Sequence, residues 1–350
     1  MPVQENINTI ICGSLHQETI INALDQVSLN HPGGSLLYAA SGYALCDRRI
    51  GLVGKTHAQF LTDFHQDLEE ITTALEGITL SVHLPNDIRY YRIRSREKWE
   101  TSHFKRHFYE LGQEVPKFLL ALERPSSNTF SMSPPCNQPL TSSDFPPQYV
   151  GAKALLLTPM DFLSHFSCIP HLRRMGIQKV LIRSSPSYMI PAKLCVLPKL
   201  LNGIDFFFTT EQEVKTLFGA RFDRYQTMLE ILCRFGAAHM VIKNSQDGYL
   251  LLHGDDQRAT LVPDHFVFTV DPIGEYDCFC GVFTACLATT SRSIEACAAY
   301  ASAAASICRE GSGVRYILNT YPDILRLRAE MVAHQIISSP IASLTASREL

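Results

Sequence analysis

An α/β fold, with a mostly parallel central sheet covered by helices on both faces, is predicted by two features of this sequence. Short apolar runs without polar alternation recur through the second half of the chain, and stretches with helical spacing separate them. Strands buried on both faces read as continuous apolar runs, and parallel neighbours need helical crossovers between them. Composition agrees, since 46% hydrophobic and 19% charged residues over 350 positions are the proportions of a folded globular chain.

The elements follow in order. Residues 8–12 read as an opening strand, 36–45 as a helix and 49–53 as a strand. Residues 78–96, rich in β-branched and aromatic side chains, read as antiparallel strands. Residues 124–147 are dense in Pro and Ser and read as a long surface loop. Then come a strand over 153–158, a helix over 161–175, a strand over 179–183 and another over 203–208. Helices over 211–218 and 223–235 precede strands over 239–243 and 249–253. The segment 331–350 is polar and Ser-containing, and is expected to form a frayed tail.

Thirty-one Lys and Arg against thirty-four Asp and Glu leave a net charge of −3. That balance supplies no general attraction to nucleic acid or anionic membrane, so neither is expected as a partner. No apolar run approaches the roughly 20 residues of a membrane span. The first residues lack a basic region of the signal-peptide kind, so a cytoplasmic location is expected. Eleven cysteines cannot all pair within one chain, and no C-x-x-C occurs. Reduced, mostly buried thiols are therefore expected, including Cys278 and Cys280. His103 and His107 stand four apart, a metal-binding spacing on a helix, but with no third ligand in view they read as surface histidines.

Gly54-Lys55-Thr56 follows a strand and imitates the end of a P-loop, but Arg49 stands where that motif needs its first Gly. No G-x-G-x-x-G is present either. The informative stretch is Val270-Asp271-Pro272-Ile273-Gly274-Glu275-Tyr276-Asp277-Cys278-Phe279-Cys280-Gly281-Val282-Phe283. It reads as a strand ending at Val270, a turn at Gly274 and then an apolar helix. Backbone N–H groups at such a helix start suit an anion, and a carboxylate beside them suits a general base. The plainer alternative is a strand-turn-helix corner with Asp277 placed by the helix dipole.

This stretch resembles the C-terminal signature of the ribokinase-like (PfkB) carbohydrate kinase family, D-x-x-G-A-G-D-x-F-x-x-G-F, at Asp271, Gly274, Asp277, Phe279 and Phe283. The run His31-Pro32-Gly33-Gly34-Ser35-Leu36 resembles the family's N-terminal Gly-Gly motif. Thr210-Glu211-Gln212-Glu213 falls on its N-x-x-E motif, residues 243–248 on its nucleotide loop and residues 293–308 on its small-residue helix near the adenine. The resemblance spans roughly residues 7–330. It implies a three-layer ribokinase-like sandwich with a small β-lid built from parts of 14–33 and 78–108, and a kinase domain over 1–330.

The resemblance further implies transfer of the ATP γ-phosphate to a hydroxymethyl group of a sugar or nucleoside, with Mg2+. Asp277 would take the hydroxyl proton, and Gly274, Glu275 and Tyr276 would form the anion hole. Glu18, Gly33, Gly34 and Ser35 would hold the substrate, Ser245 and Gly248 the nucleotide, and Glu213 would reach magnesium through water. A homodimer through the lid is a further expectation. Glu275-Tyr276 replaces the family's Ala-Gly, Tyr38 its Asn and Thr210 the Asn of N-x-x-E. A charge at Glu275 is expected to repel phosphate, and Tyr276 fits only with a negative φ. Thr210-x-x-Glu213 is also a capping box. The alternative to a kinase is a non-catalytic sugar- or nucleoside-binding protein on the same fold.

Overall fold

Alternation along the buried strands divides the core into two layers. In the first strand, Ile11 faces one hydrophobic cluster while Ile10 and Cys12 face another, and Leu156 and Leu155 split in the same way. A sheet covered on both faces must do this, because successive side chains point to opposite sides. The structure, a computed structural model, describes residues 7–72, 74–81, 87–123, 139–219, 224–244, 248–253 and 258–341.

The first half contains β1 (Thr9–Cys12), β2 (His16–Ile21), β3 (Val27–Gly33), α1 (Ser35–Ala44), β4 (Ile50–Thr56), α2 (Ala58–Ile71) and β5 (Ala74–Leu80). After these come β6 (Ile88–Ser95), β7 (Lys98–Glu100), α3 (Phe104–Glu110), β8 (Ala154–Leu157), α4 (Phe162–Arg174) and β9 (Lys179–Arg183). The chain continues with α5 (Leu197–Leu201), β10 (Phe206–Thr210), α6 (Glu211–Phe218), α7 (Tyr225–Cys233), β11 (His239–Asn244), β12 (Gly248–His253) and β13 (Arg258–Val262). It ends with α8 (Glu275–Thr289), α9 (Ile294–Glu310), α10 (Gly313–Leu318), α11 (Pro322–Ala333) and β14 (Ile337–Pro340).

Among the described residues one sheet has ten strands in the order β14-β13-β12-β11-β10-β9-β8-β1-β4-β5. From β11 to β5 every neighbour is parallel, and β12, β13 and β14 continue the sheet antiparallel. One face carries α1, α2, α8, α9, α10 and α11, and the other α4, α5, α6 and α7. A second sheet, β3-β2-β6-β7, stands apart with its own small core of Ile21, Tyr90, Phe104, Phe108 and Leu119. On the first face, α1 and α8 cross closely at Gly281, where an added Cβ would lie 1.9 Å from the Ala39 carbonyl oxygen. Any side chain there would push the two helices apart.

Four expectations need correction. Residues 78–96 are not one antiparallel unit: β5 joins the main sheet parallel to β4, and β6 pairs parallel with β2. No strand leads into Val270, since β13 ends at Val262 and an irregular segment follows. Residues 331–341 do not fray, because α11 runs to Ala333 and β14 pairs with β13, while 342–350 lie outside the described residues. His107 is fully buried, bonding Tyr90 Oη through Nδ1 at 2.8 Å, and His103 precedes the helix in a left-handed conformation. Of the long loop, residues 124–138 lie outside the described residues, and two short 3-10 turns occupy Ser142–Asp144 and Pro147–Tyr149.

Candidate active site

A parallel sheet gathers its loops at the carboxyl ends of its strands, and helices that start there point their unpaired N–H groups into the same space. Here α1 and α8 both start at a cavity of about 540 Å³. Gly34 and Ser35 come from one helix start and Gly274 and Asp277 from the other. Glu18 and Tyr91 reach it from the second sheet, and Thr158 lies beneath Ser35.

Gly274 has φ 78°, a conformation that costs an L side chain about 1–2 kcal/mol. A Cβ there would also lie 2.0 Å from the Tyr38 ring. Only Gly lets the turn rest on that ring. The first turn of α8 then sends its side chains three ways. The Glu275 N–H bonds the Pro272 carbonyl at 3.3 Å, and its carboxylate turns away from the cavity. Lys243, Arg309 (3.1 Å) and Arg96 (3.4 Å) surround that carboxylate. Burial alone would raise its pKa, but Lys243, then Arg309 and Arg96, hold it below the usual carboxylate range. Asp264 completes the network against Arg309 and Arg96.

Tyr276 lies in the helix with a negative φ and buries its ring against Phe208, Tyr249 and Phe279. Its hydroxyl donates to the Val241 carbonyl at 2.7 Å, and the Arg183 guanidinium covers the ring at 4.7 Å. The condition set for Tyr at this position is therefore met. Asp277 points the third way. Its Oδ1 is buried without a hydrogen-bond partner, and burial pushes the carboxyl up to about 7 against the opposing pull of Arg183.

Glu18 is held by three partners, which leave its carboxylate one further acceptor position. Its Oε1 accepts from the Gly34 N–H at 3.2 Å and faces His16 Nε2 at 2.7 Å, while Oε2 accepts from Tyr38 Oη at 2.8 Å. Gly33 backs onto the same carboxyl group, pairing with His16 in the second sheet. Ser35 Oγ joins Ser14 Oγ and Thr158 Oγ1 at 3.1 and 2.8 Å. Asp271, 1% exposed, accepts the Ile273 N–H at 2.9 Å to shape the turn, and burial pushes its carboxyl up to about 8.

Glu213 does not turn into the cavity. It accepts from the Thr210 N–H at 2.9 Å and the Ser184 hydroxyl at 2.9 Å, and pairs with Arg183 at 2.8 Å. The capping box forms in full. With its oxygens committed to these donors, the carboxylate does not fit a role as a magnesium anchor. Among the described residues no group of three or more His, Cys, Asp or Glu is arranged to hold a metal. Gly248 opens β12 opposite Asn244 with φ 109°, and Ser245 lies outside the described residues.

Sequence reasoning missed Arg183, Lys243, Arg309 and Arg96. Two of them carry a legible sign: Arg183 ends the apolar run Lys-Val-Leu-Ile-Arg, and Arg309 lies in the last turn of a helix of small apolar residues. A lone charge in such company needs a buried partner.

Fold and cleft together define a ribokinase-like α/β protein, and the comparisons with known proteins agree. Residues 171–320 match the model of the family described as pfkB family carbohydrate kinase. The cytidine kinase of Thermococcus kodakarensis is 22% identical over 281 residues, covering 80% of this chain and 88% of that protein. A putative ribokinase II from E. coli, in complex with ATP and Mg2+, superposes with TM-score 0.66 at 12% identity, covering 93% and 99% of the two chains. The Burkholderia thailandensis nucleoside kinase in complex with inosine gives TM-score 0.65 at 13% identity, covering 93% and 98%. At these identities the structural likeness is one of fold. The fold is ribokinase-like, and the part of the chain over residues 171–320 is similar to the pfkB carbohydrate kinases. Among the described residues no helix is long and apolar enough to cross a membrane.

Proposed function

We propose that this chain transfers the γ-phosphate of ATP to a hydroxymethyl group of a sugar or nucleoside. One observation carries the reading: Asp277 presents a carboxylate oxygen without a hydrogen-bond partner in the first turn of α8, on the same cavity as Glu18 and Gly34. A base near pKa 7 is matched to work at neutral pH. Asp277 takes the hydroxyl proton, and the N–H groups at the start of α8 face the charge developing on the phosphate. Glu18 accepts substrate hydroxyls beside Gly33, Gly34 and Ser35, with His16 and Tyr38 holding its carboxylate in place. Gly248 and the neighbouring Ser245 belong to the proposed nucleotide side. Mg2+ accompanies ATP as its phosphate counterion, and no step is routed through a protein-held metal.

A second reading, a sugar- or nucleoside-binding protein without transfer, is favoured by the Arg183–Glu213 pair, which ties up a carboxylate the resemblance assigned to magnesium. Release of ADP with a panel of sugars and nucleosides separates the two. Turnover with one acceptor, lost in Asp277→Asn, supports the kinase. Saturable acceptor binding without ADP supports the second reading, and absence of both removes each of them. A homodimer through the second sheet belongs to the same proposal. Its edge strand β3 carries exposed Leu29, and light scattering on the full chain reads the mass.

A further inference from the structure

The second sheet is tied to the rest of the molecule at the end where β2 and β6 finish. The turn after β2 donates the Ala23 N–H to the Val270 carbonyl at 3.0 Å. The turn after β6 carries Arg96, which bonds Asp264 through Nη1 at 2.5 Å and brings Nε to 3.4 Å from Glu275. Asp264 and Val270 belong to the irregular segment that leads from β13 through Gly274 into α8. Arg309 fixes that segment from behind. Its carbonyl accepts the Val270 and Asp271 N–H groups at 2.8 and 3.1 Å, and its guanidinium holds Asp264, the His265 carbonyl and Glu275. Alternation along β6 turns Arg89 and Tyr91 to the cavity and Ile93 to the same face. Ile93 is buried there, outside the sheet's own small core, so this end of the sheet rests on the body of the molecule.

The charges show which of these ties can open. Arg96, Arg309 and Lys243 bring three positive charges to the two carboxylates of Asp264 and Glu275. Lys243 and Arg309, from β11 and α9, balance those carboxylates by themselves. The side chain of Arg309 is 1% exposed and that of Arg96 20%, so Arg96 is the one that water can take back. Its withdrawal leaves no buried carboxylate without a counter-charge, which removes the usual penalty for breaking such a pair. Glu18 and Tyr91 ride on this sheet, and Asp277 lies two residues beyond Glu275 on the same cavity. The contact therefore sets the distance across the cavity.

We propose that Arg96 is a positioning residue that latches the second sheet to the start of α8, holding Glu18 and Tyr91 across from Asp277, and that its release from Asp264 and Glu275 opens this edge of the cavity. Glu275, which stands where the resemblance has Ala, supplies one half of the latch, and Asp264 the other. The latch is electrostatic, so salt weakens it. A ligand that touches both Glu18 and the start of α8 gains both sets of contacts only when the sheet is down, and so favours the latched state. That last step rests on the transfer reading above; the latch itself does not.

The chain carries its own reporters. Trp99, its one tryptophan, lies on β7 three residues past Arg96 and pairs across the strands with Ile93. The Ala23 amide bonds from the second sheet to the body, whereas the Val270 amide bonds within the body. In full-length Arg96→Met without ligand, acrylamide quenching of Trp99 should rise. The Ala23 amide should exchange about tenfold faster, the loss of one charge-assisted hydrogen bond at a partly exposed pair, with the Val270 amide unchanged. Wild-type protein in about 1 M KCl should move the same way. Arg96→Lys should fall between the two, and Glu97→Gln, next in the turn, should behave as wild type. An acceptor identified by ADP release should dissociate about tenfold faster from Arg96→Met than from wild-type protein. The readouts without ligand distinguish a failed latch from a failed transfer reading. Unchanged Ala23 exchange and Trp99 quenching in Arg96→Met overturn the proposal. So does an equal loss of protection at Ala23 and Val270, which would make Arg96 a contact of general stability.

Discussion

Replacing Glu275 with Gln removes one charge from a network of five and leaves the shape unchanged. Glu275 is 3% exposed and the side chain of Arg309 1%, so both charges depend on each other rather than on water. Losing one member of a buried pair costs about 3–5 kcal/mol, because the partner stays buried without compensation. Asp264 still holds Arg309 at 2.9 Å and also pairs with Arg96, and the Gln amide oxygen still accepts one hydrogen bond. The lower end, about 3 kcal/mol, is therefore expected. With 350 residues unfolding at roughly 2.1 cal/mol/K each, that is about 4 °C in Tm by differential scanning calorimetry. Arg309→Met should cost a similar amount, and the double variant less than the two singles together, since opposite charges leave in company. If Glu275 instead faces the phosphate and repels it, Glu275→Gln would leave Tm unchanged and tighten ATP binding by calorimetry. That result would refute the network as the reason for the Glu.

Three other outcomes follow from the same geometry. Asp277→Asn should lower kcat by about 10²–10⁴-fold with nucleotide affinity nearly unchanged, and wild-type turnover should rise as pH passes about 7, since a base works only when ionised; the variant's residual rate should lose that limb. Asp271 has a native pKa of about 8 against roughly 3.9 unfolded, so only the native state carries its proton between those values. Stability therefore declines as pH rises through that window by up to about 1.4 kcal/mol per unit from this group, and denaturant titrations should show a shallower decline in Asp271→Asn. Gly274→Ala should cost about 2–5 kcal/mol from its positive φ and its overlap with the Tyr38 ring, and Tyr38→Ala in the same chain should recover only the overlap.

How much of this was legible depended on how local each signal was. Strands β8, β9, β11 and β12 are buried apolar runs, and their limits came out within about a residue. Strand β10 starts three and ends two residues later than expected, because Thr209 and Thr210 look like loop although their branched side chains suit a strand. Helix α2 went unread despite Phe60, Phe64, Leu68 and Ile71 at helical spacing, since four charged residues dilute the apolar face. The sheet to which β5 belongs is settled by pairing with β4, far from anything its composition records. Asp277, Glu18 and Gly34 were found by motif spacing and do share one cavity. Thr210 and Glu213 supported two readings at once, and the cap won because Arg183, from another strand, lies beside it. An ion pair between distant segments leaves no periodicity in either.

Arg183 also explains how the chain can depart from Ala-Gly in the first turn of α8 without losing the backbone path. Tyr276 brings a large ring to the position where the resemblance has Gly, and that ring is buried away from the cavity. The ring is held inward from two sides, by the Val241 carbonyl at its hydroxyl and by the Arg183 guanidinium on its face. Arg183 is kept there by Glu213, whose carboxylate is fixed by the cap at the start of α6. Glu275 is drawn to the opposite side by Lys243, Arg309 and Arg96. Both substituted side chains thus leave the cavity, and α8 still begins at Gly274 with Asp277 in its first turn. Behind the helix start, Arg183 lowers the pKa of Asp277 and Glu213 raises it, both smaller effects than the upward push of burial.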